Sequence, residues 1–313
     1  MGKSKMPAAN FSLQFARCNY WREGVIVTVE GQGPTTHRRR LRLALRQLRS
    51  ERGYSLEDVR HAMEWSLSKV IRIESGTVSI SVNDLRALLS FYGVSDPGNL
   101  GRMIDLARLA RRRHWAAEYR DYASPSYMDF LGYEDDASRI SQYHPFLIPG
   151  LLQTEEYARL VVSARPHYRS DGQAAQARVR LRMARQARVF ASGRDSLVRI
   201  VLDERALKHV GSKEVMREQF LKIQDLLSRL DLVVLKRDSA ADPGFVGPFS
   251  LHEFDSEQDP DVVYLDNQPD DVALVEDADM VDAYKVSFAN LYAQAVAADS
   301  KDGRRILDFD APH

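Results

Sequence analysis

The stretch from Ser55 to Gly76, SLEDVRHAMEWSLSKVIRIESG, constrains this chain more than any other. It holds two short amphipathic periods, each preceded by a serine, with a tight turn between them. A serine ahead of a helical period accepts a hydrogen bond from a free backbone N–H of the first turn, so Ser55 and Ser66 mark two helix starts. Asp58, three residues after Ser55, completes a capping box, and Gly76 closes the second helix. That spacing is a helix-turn-helix.

In the second helix Val70 and Ile73 fall three apart and turn inward, which leaves Ser68, Lys69 and Arg72 on the opposite side. These three are the candidates for reading bases, with Ser66 at the helix start beside them. The flanks extend the motif to four helices. A basic helix from His37 to Arg52, HRRRLRLALRQLRSER, precedes it, and Gly53 turns the chain. A fourth helix from Val82 to Tyr92 follows, with a capping box in Ser81 and Asp84 and a stop at Gly93. Arg38 and Arg39 of the basic helix join the candidate DNA contacts. Between Thr36 and Ala116 the chain carries 16 Lys and Arg against 8 Asp and Glu, although its net charge is zero. One end suits phosphate; the balancing acid lies downstream.

Thr36 to Asp96 resembles a Cro/repressor-type (Xre-family) helix-turn-helix domain. A second resemblance lies farther on, in Leu147 to Leu160 (LIPGLLQTEEYARL), Val179 to Val189 (VRLRMARQARV), Val201 to Leu207 (VLDERAL) and Phe249 to Leu265. These stretches are similar to the C-terminal domain, of unknown function, of actinobacterial antitoxin-like regulators. The resemblance implies a transcriptional regulator that binds double-stranded DNA, with an antitoxin-like role and a small co-encoded protein as partner. It also implies a pairing of Glu74 with Arg49 at the meeting of two helix ends. Several positions depart from the pattern: Arg60 replaces a small alanine, Glu64 a turn glycine, Leu67 a helix-opening proline, and Leu56 a polar residue.

A chain of 313 residues exceeds one comfortable core, so two domains are expected. The boundaries read as a disordered or mis-annotated leader over 1–33, a helix-turn-helix domain over 34–96, a helical connector over 97–143, and an α+β domain over 144–308. Valines 25, 27 and 29 are candidate start sites within the leader. The fold class is an all-α, lambda-repressor-like bundle followed by an α+β domain with a small mixed sheet. A fifth helix runs from Pro97 to His114, with Asp96 as cap, and Ala116 to Tyr143 reads as helical in pieces. Further helices are expected at Thr154–Ser163, Gly172–Ala191, Lys213–Arg229 and Asp277–Ala297. Strands are expected at Leu197–Leu202, Leu232–Lys236, Phe249–Phe254 and Val262–Leu265, the first two forming a parallel pair across a helix.

A single cysteine, Cys18, excludes an internal disulfide and fits a reducing cytoplasm. No apolar run has the length of a membrane span. The chain lacks a P-loop, a nucleophile elbow and an H-E-x-x-H pair, so no enzyme, metal or cofactor is expected. Asp203 and Glu204 end a strand, but as neighbours they point to opposite faces, and one of them is expected to cap the following helix. From Asp238 to Asp282 there are 14 acidic residues and no Lys or Arg. That stretch is a solvated surface, a docking face for a basic partner, or a surface that keeps this domain off DNA. The reading is a cytoplasmic, dimeric regulator. The alternatives are a ligand-sensing regulator and an interaction adaptor that has lost DNA binding.

Overall fold

The computed structural model describes residues 33–164, 172–191, 198–207, 210–237, 247–256, 258–267 and 271–310. The leader expected over 1–33 lies outside them except for Gly33. Five helices form the N-terminal bundle: α1 (Pro34–Glu51), α2 (Leu56–Met63), α3 (Leu67–Glu74), α4 (Val82–Phe91) and α5 (Pro97–Leu109). Their starts follow the caps. Ser55 and Asp58 form a reciprocal box, Ser66 accepts from Lys69 N at 3.2 Å, and Asp96 accepts from Asn99 N at 2.7 Å ahead of Pro97. Ser81 caps α4, but the expected reciprocal half is missing because the Asp84 carboxylate takes Lys69 Nζ at 3.2 Å instead. One core joins the five helices through Leu41, Leu45, Val59, Val70, Ile73, Leu85, Leu89 and Met103. α5 stops before Arg111, short of the expected end at His114, whose ring accepts from Ala116 N and opens a 3-10 helix over Trp115–Tyr122.

The second region adds α6 (Pro125–Asp136), β1 (Arg139–His144), α7 (Glu155–Ala164), α8 (Gly172–Ala191) and β2 (Val198–Asp203). After them come α9 (Lys213–Leu226), β3 (Asp231–Leu235), β4 (Phe249–Glu253), β5 (Val262–Asn267), β6 (Asp271–Val275), α10 (Ala278–Gln294), β7 (Val296–Ala297) and α11 (Lys301–Ile306). The seven strands form one mixed sheet in the order β6-β5-β4-β1-β2-β3-β7. β1, β2 and β3 run parallel, the β2–β3 pair spanning α9 as expected, and the remaining pairs are antiparallel.

The central strand β1 falls where the sequence reads as helical connector. Its sequence, RISQYH, has neither a clear period of two nor an apolar run. It becomes a strand because β2 and β4 pair with both of its edges, and the buried Gln142 is satisfied across the sheet by Ser250 at 3.2 Å. On one sheet face Ile140, Val198, Ile200, Leu202 and Val234 pack under α7 and α9. On the other, Tyr143, Val201, Val233, Leu251 and Val263 pack against Val281, Phe288 and Leu291 of α10. Asp203 does cap the segment after β2, accepting from Arg205 N at 2.8 Å, and its carboxylate also holds the Arg205 guanidinium and the Tyr143 hydroxyl.

Candidate nucleic-acid interface

α3 is held in place by its inner face and its two ends. Val70 and Ile73 are buried in the bundle core. At the C-terminal end Arg49 of α1 grips Glu74 with two bonds, Nε to Oε1 at 2.7 Å and Nη2 to Oε2 at 3.0 Å, the pairing implied by the resemblance. At the N-terminal end the turn between α2 and α3 places Glu64 in the left-handed region, φ 54° and ψ 36°. A glycine would adopt that conformation at less cost, by on the order of 1 kcal/mol. Gly76, at φ +77°, then reverses the chain after α3.

Of the residues singled out for DNA contact, Ser66, Ser68 and Arg72 are exposed on α3 and its cap. Lys69 is turned aside. Its ammonium lies 3.9 Å from the centre of the Trp65 ring and pairs with Asp84, which ties the side chain back to the bundle. The exposed face also holds Leu67 and Ile71, 40% and 46% accessible, which were not among the candidates. A signal for Ile71 was present: in V-I-R-I, a helix that buries Val70 and Ile73 must turn Ile71 outward. A capped helix end presenting hydroxyls, one guanidinium and an apolar side chain has the groups that read base edges in a major groove.

Arg38 and Arg39 sit elsewhere. The first turns of α1 face the second region, and His37, Arg39, Arg40 and Arg42 are buried there. Arg40 donates to Asp259 through Nε at 2.7 Å, in a pair exposed by only 5% and 0%. Arg39 donates to Glu276 at 2.8 Å and to Pro260 O, and Arg42 reaches the same Glu276 at 2.6 Å. Arg38 meets Asp129 of α6 at 3.0 Å, while Thr36 and the Gly33 N–H bond the Asp136 carboxylate. Burial alone would push the Glu276 carboxyl up, but its bonds to Arg42 and Arg39 hold it below the ordinary range. Arg39 is thus a clamp between the two regions in this structure, and Arg38 is partly so. Asp259 and Glu276 belong to the acidic stretch expected to be a solvated surface or a docking face. They face α1, and Lys285 takes Asp261 and Asp282 at 2.8 and 3.2 Å, so part of that charge is matched within the chain.

Two family models match the chain. One, described as a helix-turn-helix domain, covers residues 40–99. The other, a domain of unknown function (DUF5753), covers residues 127–307, more than half of the whole. The chain belongs to the DUF5753 family. Its family region starts inside α6 and takes in the complete sheet, so β1, placed in the connector by the sequence reading, is part of the DUF5753 domain. The helix-turn-helix match makes this DUF5753 protein a candidate DNA-binding regulator. No curated protein and no solved structure matches it. Among the described residues no helix is long and apolar enough to cross a membrane.

Proposed function

We propose that this protein is a sequence-specific transcriptional regulator of Xre type that reads double-stranded DNA through α3. The observation that carries the reading is the exposed face of α3. Ser68 and Arg72 stand exposed on a helix fixed by two caps and an ion pair, with the exposed capping Ser66 beside them, while most of the basic charge of α1 is engaged inside the molecule. Arg72 is the guanine candidate, and Ile71 is placed to meet a thymine methyl. Ser66 and Ser68, at the helix N-terminus, suit phosphate or base edges.

The protein works in the cytoplasm as a homodimer, with half-sites about 34 to 36 Å apart along the duplex. Its role is antitoxin-like. The second domain takes a small co-encoded protein and performs no catalysis. Supporting this are the domain order and the clamp between α1 and the second region, through which a change in that region can reach the DNA-binding bundle. The test is to incubate the full chain with sheared genomic DNA and sequence what it retains. A short recurring motif that is lost with Arg72→Ala is expected. Retention of no motif, or of the same motif by Arg72→Ala, would overturn the assignment, and the first outcome would favour an interaction adaptor.

A further inference from the structure

The motif PGLLQTEEYA and the arginine-rich stretch of α8 come together around one cavity. Its volume is about 80 Å³. A cavity of roughly 10 to 15 Å³ already holds one water, so this one has room for a small organic molecule. Its floor is a row across three strands, because Gln142 of β1 stands opposite Ser250 of β4, which stands opposite Tyr264 of β5. One wall is apolar: Phe130, Leu147, Ile148 and Val161. The other is a stripe of three arginines on α8, Arg178, Arg182 and Arg185, spaced four and three apart and therefore on one helix face.

This is a built site. Arg185 is nearly inaccessible and fixed by two bonds to Glu134, at 2.7 and 2.6 Å, under the ring of Phe130. Arg182 donates to Gln153 Oε1 at 2.6 Å, and Arg178 lies 4.7 Å from the centre of the Tyr127 ring. The motif loop is locked from behind. Gln153 Nε2 donates to Ile148 O, Gln186 to the carbonyls of Gly150 and Gln153, Lys222 to Gln153 O, and the fully buried Gln219 to Leu152 O. Gly150 lets the arginines in, since a Cβ there would stand 3.0 Å from Arg185 Nη1. The hydroxyl of Tyr264, 1% exposed, has no hydrogen-bond partner among the described residues. Burial pushes that phenol well above its ordinary range, so it remains a donor. A buried donor left unpaired is destabilising, and a ligand acceptor would relieve that cost.

We propose that this cavity binds a small organic carboxylate, with the acid group on Arg178 and Arg182, an oxygen accepting from Tyr264, and an apolar body against Phe130 and Ile148. Among the described lining residues the donors are the guanidiniums of Arg178 and Arg182 and the Tyr264 hydroxyl, with Arg185 matched by Glu134 and the one carboxylate, Asp266, paired with His144, and this donor set suits an acid. The planar guanidinium forks suit a planar carboxylate, and the apolar wall demands more than a bare ion. The site goes beyond the DNA-binding reading. It also connects with it through α6, which gives Tyr127 and Phe130 to the cavity and Asp129 and Asp136 to α1.

The experiment is fluorine NMR of trifluoroacetate and para-fluorobenzoate with the full chain, without DNA, so that its outcome does not depend on whether α3 binds an operator. Saturable binding of at least one acid is expected. The amide of the same fragment should bind at least about tenfold more weakly, and Arg178→Gln and Tyr264→Phe should each weaken the acid severalfold while the thermal melt stays cooperative. No saturable binding of either acid up to about 10 mM, a regime already weaker than ordinary metabolite sites, would overturn the proposal. So would amide and acid binding alike, or binding of the acid unchanged in both well-folded variants.

Discussion

Helices α1 and α3 make opposite use of positive charge. α1 carries six arginines and α3 one lysine and one arginine, so composition alone points to α1 as the phosphate-facing element. Structure reverses that order. Four of the α1 arginines, 38, 39, 40 and 42, are bonded to carboxylates of the second region, and a fifth, Arg49, holds Glu74. Arg72 of α3 stands exposed. Charge in a sequence therefore locates an electrostatic need but not its partner. A guanidinium matched by a carboxylate inside the fold contributes little to the field seen by DNA, while a single exposed one at a helix face can decide a base.

The comparison breaks most visibly at Asp259. Asp259→Ala should lower unfolding stability by about 3 to 5 kcal/mol, because it leaves Arg40 charged, buried and unmatched. Replacing both residues together, Arg40→Met with Asp259→Leu, should recover much of that loss. A urea titration of the full chain measures both. A loss under about 1 kcal/mol for the single change would mean that the α1 clamp opens readily in solution.

Glu74→Ala tests Arg49, the fifth engaged arginine of α1. Arg49 is 21% exposed and Glu74 8%, so the pair is partly screened, and its loss should cost at most about 3 kcal/mol. A double-mutant cycle with Arg49→Ala should show coupling; additive losses would show that the two act independently. On DNA the ranking turns around. Arg72→Ala should weaken specific binding by about 1 to 3 kcal/mol and relax one base position. Arg39→Ala should leave the slope of log affinity against log salt unchanged, because that side chain is placed away from phosphate. A slope reduced by about one for Arg39→Ala would put it back among the DNA contacts.

The smallest effect is on pH. His37 is 1% exposed at the start of α1, where its Nδ1 donates to Gly33 O at 2.7 Å. Burial lowers its pKa, the bond to Gly33 raises it, and Arg40 and Arg112 lower it against the opposing pull of Asp259. The folded value is below the unfolded one, so the unfolded chain takes up the proton first. Stability is complete above about pH 6.5 and declines as pH falls below it. His114, also lowered by burial, acts in the same direction. Asp129 and Asp136, raised by burial, act in the opposite direction lower on the scale. Melting temperature should therefore drop between about pH 7 and pH 5.5, and His37→Gln should flatten the change. A profile identical in the variant would remove His37 from the account.

Much of the N-terminal bundle was legible because its signals are local. Serine caps, glycine stops and apolar positions three apart act within one or two turns, and the helix starts follow them closely. α8 was read to its exact residues for the same reason, and the parallel pairing of β2 with β3 follows from strand, helix, strand. What could not be read was set by partners distant in sequence. β1 is a strand because β2 and β4 flank it, and β7, a two-residue strand, is defined by its pairing with β3. The sequence does not mark the partners of Lys69 on the α3 face, Trp65 and Asp84, which engage its ammonium while 40% of the side chain stays exposed.

The sequence by itself determined where the bundle helices begin, that α3 would turn Val70 and Ile73 inward, and that positive and negative charge would be divided between the two ends of the chain. Only the tertiary structure decided that these charges meet. A carboxylate 219 positions away lies against Arg40, and one 237 away against Arg39. The PGLLQ loop is closed over a cavity by glutamines and a lysine from α8 and α9. Hydrogen-bonded caps are fixed by neighbours in the chain, so their information is local. A buried ion pair or a cavity wall is fixed by desolvation and by partners that the fold alone brings within 3 Å.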